Sequence, residues 1–402
     1  MWRIEAPKLI AGLTRIVRDV GLAEDLAQDA LVAALEQWPE SGVPAKPGAW
    51  LMATAKHRAI DRLRRDERLE RKNQEIGREM EVHERQQEGD DLLRLIFISC
   101  HPILAPEARV ALTLRLLASL TTEEIARAFL VPVSTIAQRI VRAKRTLTEA
   151  RVPFEVPHGP ELDARLSSVL QVIYLVFNEG YSATAGDDLL RAGLCEDALR
   201  LGRILAGLAP KEPEVHGLVA LMEIQASRSR ARVGPSGEMV LLLDQDRGRW
   251  DQLLIRRGLA ALERAERLGG ALGPYALQAA IAACHARART AAETDWSRIV
   301  ALYDALAELA PSAVVELNRA VAVGMAFGPA AGLELVDALR SDPALKTYHF
   351  LPSARGDLLA KLGRHGEARA EFERAAALTQ NERERDLLLQ RAAACTGEDA
   401  SS

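Results

Sequence analysis

The stretch Leu120-Thr121-Thr122-Glu123-Glu124-Ile125-Ala126-Arg127-Ala128-Phe129-Leu130-Val131-Pro132-Val133-Ser134-Thr135-Ile136-Ala137-Gln138-Arg139-Ile140-Val141-Arg142-Ala143-Lys144-Arg145 carries most of the fold information. Thr121 and Glu124 have capping-box spacing, so each can satisfy an amide of the other. The helix they start must stop near Phe129 to Pro132, because Pro132 drives Val131 out of helical geometry. Ser134 is then placed to cap a second helix reaching Ala150. In that helix Ile136, Ile140, Ala143 and Leu147 recur at offsets of four, seven and eleven, one apolar stripe for packing. Ser134, Thr135, Gln138, Arg139, Arg142 and Arg145 lie away from the stripe. Polar residues early in such a helix can reach base edges in a major groove, and arginines can take bases or phosphates. The pattern reads as a helix-turn-helix; the plainer alternative is a helical hairpin with a basic face.

Outward from this point the charge is patchy. Up to Arg151 the chain carries 24 basic and 22 acidic residues, and beyond it 28 and 34. Lys56 to Lys72 holds eight basic residues against four acidic, Asn73 to Asp91 two against seven, and Arg139 to Arg145 four against none. Two basic patches with an acidic strip between them suggest two nucleic-acid-facing modules and a linker. Trp50 to Arg65 reads as a helix with Met52, Ala53, Ala59, Ile60 and Leu63 on one side. Arg58, Arg62 and Arg65 lie opposite, flanked by Arg64, a stripe able to follow a phosphate backbone. A further helix opens at Gly21 and reaches Trp38, and Pro39 to Gly48 is a loop with three prolines. Val152 to Pro160, with three more prolines, is a hinge.

Composition sets the wider bounds. The chain has 402 residues, 48% hydrophobic, with a net charge of −4, which excludes wholesale disorder and leaves room for two or three domains. Ala, Leu, Glu and Arg dominate, so an all-α protein is expected. No run is long enough for a membrane span. The start lacks the core of a signal peptide. The four cysteines are scattered, against both a disulfide framework and a zinc cluster. A soluble, reduced, cytoplasmic protein is expected, with no cofactor and no membrane association.

Two modules in this order resemble the extracytoplasmic-function sigma factors of bacterial RNA polymerase. Ala23-Glu24-Asp25-Leu26-Ala27-Gln28-Asp29-Ala30-Leu31 resembles the helix that docks on the polymerase clamp. The resemblance puts Asp25, Gln28 and Asp29 on that docking face. Trp50 to Arg65 resembles the promoter-melting helix, which assigns Arg58, Arg62, Arg64 and Arg65 to the −10 element. Ala111 to Arg115 and Leu120 to Ala126 resemble the region that reads the −35 element, through Ser134, Thr135, Gln138, Arg139, Arg142 and Arg145. The implied partners are core RNA polymerase and promoter DNA. The domains expected are region 2 over residues 1–72, an acidic linker over 73–91, region 4 over 92–151, the hinge over 152–160 and a C-terminal domain over 161–402.

That C-terminal part is longer than such factors carry, and it resembles an extension related to tetratricopeptide repeats, with Tyr174-Leu175-Val176-Phe177-Asn178-Glu179-Gly180-Tyr181 as its signature. Gly328 and Gly366 are 38 residues apart, as are Ala330 and Ala368, close to a tetratricopeptide period. Leu205 to Pro210 and Leu306 to Pro311 are matching helix ends. Degenerate helical pairs stacked in an arc are expected, with a peptide or protein as partner. Catalysis has little support: Cys100-His101 and Cys284-His285 are adjacent pairs with poor geometry for a dyad, and Asp187-Asp188 and Asp244/Asp246 match no cation loop. The rival class is a helix-turn-helix regulator with a repeat-type sensor, which leaves the Asp25 helix and the arginine helix without a task.

Overall fold

A chain rich in good helix formers and punctuated by proline and glycine folds as successive short helices. The computed structural model describes residues 2–65, 84–129, 131–157, 159–182, 185–186, 192–235, 237–269 and 273–397. It divides into two units, Met1–Val176 and Phe177–Ser402.

Unit 1 begins with α1 (Trp2–Val17), α2 (Val20–Ser41) and α3 (Pro47–Arg65). Asp19 caps α2 by accepting the Leu22 amide at 2.7 Å. The helix continues through Pro39, past the expected end at Trp38. Pro39 has no N–H to give the Leu35 carbonyl, and the helix closes soon after, where the amide of Gly42 bonds the Trp38 carbonyl. Gly42 has φ +79°, a conformation glycine adopts without strain. Pro47 opens α3, where its missing N–H costs nothing. The three helices pack through Leu9, Leu13, Leu26, Leu51, Ala55 and Ala59.

The helices α4 (Glu84–Ser99), α5 (Pro106–Leu116), α6 (Thr122–Ala128) and α7 (Val133–Glu149) follow. The strip expected to be a linker up to residue 91 is already helical from Glu84, and Asp91 is a buried residue of α4. Its carboxylate takes Arg15 of α1 at 3.0 Å and Arg94 at 2.7 Å. The capping box forms: the Thr121 amide donates to Glu124 at 2.8 Å, and the Glu124 amide to the Thr121 hydroxyl at 3.2 Å. Ser134 does not cap α7. The cap position is Pro132, whose carbonyl receives the Thr135 amide at 2.9 Å, so Ser134 lies within the first turn.

Residues 152–157 and 159 are not helical, and α8 (Pro160–Tyr181) opens after them. Its residues up to Val176 belong to unit 1. Arg165, buried, donates to the Phe97 carbonyl at 3.1 Å. The Ser168 hydroxyl donates to the Cys100 carbonyl at 2.6 Å and receives Arg109 at 2.6 Å. These groups satisfy carbonyls at the end of α4 that the helix itself cannot.

Unit 2 continues through α9 (Ala192–Leu208), α10 (Pro213–Ala226), α11 (Gln252–Arg267), α12 (Pro274–Arg287), α13 (Trp296–Leu309), α14 (Ala313–Phe327), α15 (Pro329–Ala338), α16 (Phe350–Lys361), α17 (His365–Leu378) and α18 (Glu382–Gly397). From α13 onward each helix packs chiefly on its neighbours in sequence, whereas α12 lies mainly against α10. A Cβ on Gly332 would lie 2.7 Å from the Gly324 Cα, so α14 and α15 meet backbone to backbone. The turn glycines are Gly328 (φ +103°) and Gly363 (φ +75°), 35 residues apart. Gly366 instead lies within α17, so the 38-residue pairing with Gly328 joins unlike positions. One short parallel pair, β1 (Ala185–Gly186) with β2 (Gln380–Asn381), is the only sheet among the described residues. No described helix is long and apolar enough to cross a membrane.

Candidate nucleic-acid interface

On α7 the apolar stripe turns inward as its spacing requires, with Ile136, Ile140, Ala143 and Leu147 all buried. The opposite face exposes Ser134, Gln138, Val141, Arg142 and Arg145, while Thr135 and Arg139 are half-buried at its flank. Arg145 is held by Glu149 at 2.6 Å, and this bond raises its pKa further. Arg142 has no carboxylate within 4 Å among the described residues. Sequence reasoning missed Val141, which is 64% exposed; an exposed apolar side chain here can meet a thymine methyl.

On α2, Asp25 and Asp29 are exposed and Gln28 is half-buried. The same face runs on to Val32 (51% exposed) and Leu35 (66%). Two bare apolar residues beyond two carboxylates make a mixed acidic and apolar surface. They fall seven and ten residues after Asp25, on the same helical face, and that spacing was the signal for them.

On α3 the buried stripe is Leu51, Ala55 and Ala59, and Ala53 is exposed. The expected apolar side was therefore partly rotated, because Leu51 belongs to it and Ala53 does not. Trp50 meets Trp38 edge to face, with centroids 5.4 Å apart. Arg58 is exposed but engaged: it donates to the Asp29 carbonyl at 2.8 Å and lies 3.8 Å from the Asp29 carboxylate. A residue expected to face DNA is thus tied to one expected to face the polymerase. The side chains of Arg62, Arg64 and Arg65 lie outside the described residues, as do Asp187 and Asp188.

Glu24 lies in the motif that singled out Asp25, yet it points the other way and is buried. Its carboxylate pairs with Arg115 of α5 at 2.5 Å and with Lys144 of α7, and it receives Gln28 at 2.8 Å. Thr148 of α7 adds a bond to Asp19 at 2.9 Å. One buried carboxylate therefore ties the first three helices to the helix-turn-helix.

Elsewhere the chemistry is muted. Burial pushes the Cys100 thiol up to about 11 and Cys195 up to about 12, which makes them poor nucleophiles. Burial brings His101 and His285 down to about 4, helped in each case by nearby arginines. Trp250 is buried beneath Arg247 at 4.8 Å, and Tyr181 lies beneath Arg232 at 3.9 Å. Trp296 meets His285 edge to face at 5.2 Å. Asp246 caps a short turn through the Gly248 amide. Among the described residues no cluster of three His, Cys, Asp or Glu could hold a metal.

Comparison with known proteins adds three family matches. Residues 1–69 match sigma-70 region 2, residues 94–147 match sigma-70 region 4, and residues 165–266 match a family of unknown function (DUF6596). An uncharacterized protein of Rhizobium meliloti (strain 1021) is 44% identical over 388 residues, which cover 93% of this chain and 90% of that one. The likeness therefore includes the C-terminal half.

Proposed function

Because the chain belongs to the sigma-70 factors of the extracytoplasmic-function type, with a helical C-terminal extension, it directs core RNA polymerase to promoters, and we propose that three faces of unit 1 divide that task. The Asp25, Gln28 and Asp29 face of α2, extended by Val32 and Leu35, docks on the core enzyme. Arg58, Arg62, Arg64 and Arg65 of α3 serve the −10 element. Ser134, Thr135, Gln138, Arg139, Arg142 and Arg145 of α7 read the −35 element, with Arg142 as the main contact.

The observation that carries this reading is α7 itself: a basic outward face over a fully buried stripe, in a helix-turn-helix with a closed capping box. The two promoter elements lie about 25 base pairs apart, so about 85 Å along B-DNA at 3.4 Å per pair. Glu24 holds α2 against α7. Simultaneous reading of both elements then requires the modules to part and Glu24 to release Arg115 and Lys144. The chain is given no chemistry of its own.

For the extension we favour a regulatory or partner-binding role. Helices that pack on their sequence neighbours, with a 35-residue turn interval, support a tetratricopeptide-like array whose ligand is a peptide or protein. Transcription with purified core polymerase over a pool of promoter fragments tests the whole reading. New transcripts sharing an upstream motif are expected. Arg142→Ala should remove those that depend on the −35 sequence, and unchanged transcription by that variant would refute the assignment of α7.

A further inference from the structure

A cavity of about 580 Å³ opens within unit 1, where the turn between α1 and α2 meets the end of α7 and the segment after it. That is the size of a small-molecule site. Its apolar wall includes Leu147, Val152 and Phe154, and three arginines join it: Arg15, Arg18 and Arg151. Arg15 uses its Nε on Asp91, which leaves the far edge of its guanidinium for another acceptor. Arg18 and Arg151 are exposed, and among the described residues neither has a carboxylate within 4 Å. Two acids also line the cavity. Asp19 is already committed, with one oxygen on the Leu22 amide and the other on the Thr148 hydroxyl. Glu155 is exposed and pairs with none of the three arginines.

The backbone supplies an independent sign. Among the described residues three non-glycine residues have positive φ, and two of them are Arg18 (+56°) and Arg151 (+50°). Both follow the end of a helix, where the chain turns left-handed and glycine is the usual occupant. The Arg18 amide bonds the Thr14 carbonyl at 2.8 Å, and Val152 closes the end of α7 on the Leu147 carbonyl at 3.1 Å. A cation near a helix C-terminus is favourable, but that preference does not require the cation to occupy the left-handed position itself. Strain retained twice around one cavity marks a site kept for something other than stability.

We propose that this cavity binds a small organic oxyanion, a phosphate or carboxylate borne on an apolar body. The free arginine edges take the oxyanion in forked hydrogen bonds, and the apolar body lies against Leu147 and Phe154. The walls come from both modules, so a ligand there grips them in the arrangement described.

The test is titration calorimetry on the full chain with phenyl phosphate, benzoate, inorganic phosphate and benzylamine. Saturable one-to-one binding of phenyl phosphate or benzoate is expected, with inorganic phosphate weaker and benzylamine silent. Whichever of the two aryl acids binds more tightly identifies the head group. The double variant Arg18→Gly/Arg151→Gly should weaken that binding about tenfold or more. Because glycine suits both positions, its thermal midpoint should be unchanged or higher, which separates a lost site from a lost fold. Arg142→Ala should bind as the parent does. The proposal is overturned if neither aryl acid binds saturably or if the double variant binds normally. It also fails if Arg142→Ala abolishes binding, since the anion would then sit on the outward face of α7.

Discussion

Buried charge is used differently in the two units. In unit 2, ion pairs pin a helix to a near neighbour: Glu223 of α10 takes Arg203 of α9 at 2.8 Å, and Arg355 of α16 joins Asp337 of α15 and Glu371 of α17 at 2.7 and 2.9 Å. In unit 1, Glu24 reaches residues 91 and 120 positions away, across the boundary between two modules. The first kind can stay closed for the life of the fold. The second spans a joint that, in the function proposed above, promoter binding has to open. A buried ion pair costs desolvation and is weak evidence of stability in itself, so its position says more about its use than its presence does.

The sharpest contrast comes from breaking one pair of each kind. Arg355→Met leaves Asp337 without its partner and Glu371 with Arg374 alone, at 3.6 Å, and should cost unit 2 about 3 kcal/mol in urea unfolding, with −35 affinity untouched. Glu24→Ala should weaken the joint by a similar amount while helix content holds, read as a larger radius of gyration in solution scattering. Unfolding in place of parting in the second variant would erase the distinction.

Acid should also act on unit 2. His285 is 7% exposed and is held down to about 4 by burial, then by Arg228 and Arg247. The unfolded chain binds that proton more readily, so stability falls as pH drops from about 6.5 toward 4, by about 3 kcal/mol in all. Denaturant titrations at several pH values would show the fall, and His285→Gln should flatten it. An unchanged profile in that variant would mean other groups govern acid lability.

Next in size come the two arginines of α7. Arg142→Ala should lose about 1–3 kcal/mol of affinity for the −35 duplex and reduce the salt slope by about 0.9. Arg145→Ala should lose less, because Glu149 already holds that side chain. Equal losses would show that the Glu149 pair dissolves on DNA. Smallest is Thr121→Ala, which removes half of the capping box and should cost about 1 kcal/mol of stability, checked by thermal unfolding.

Much of this was legible in the sequence where the forces are local. The capping box, the stop before Pro132 and the Ile136, Ile140, Ala143, Leu147 stripe depend on residues a few positions apart, and all three are present in the structure. What depends on distant partners was not. Glu24 and Asp25 are adjacent and chemically alike; only Arg115 and Lys144 decide which of them turns inward. Asp91 looked like linker because its partner Arg15 is 76 residues upstream. The Leu51 stripe on α3 was misplaced by small residues: alanine at 53 and at 55 gives no hydropathy contrast, and packing on the first two helices makes the choice.

The hinge after Arg151 is the obvious place to divide the gene, and it is the wrong one. Cutting there discards Arg165 and Ser168 and leaves the carbonyls of Phe97 and Cys100 without their donors. The promoter-reading half, for anyone who wishes to recombine it with another regulator, includes the opening turns of α8. A graft that honours the prolines would inherit a damaged α4, and its failure would be blamed on the missing extension when the fault lay in the cut.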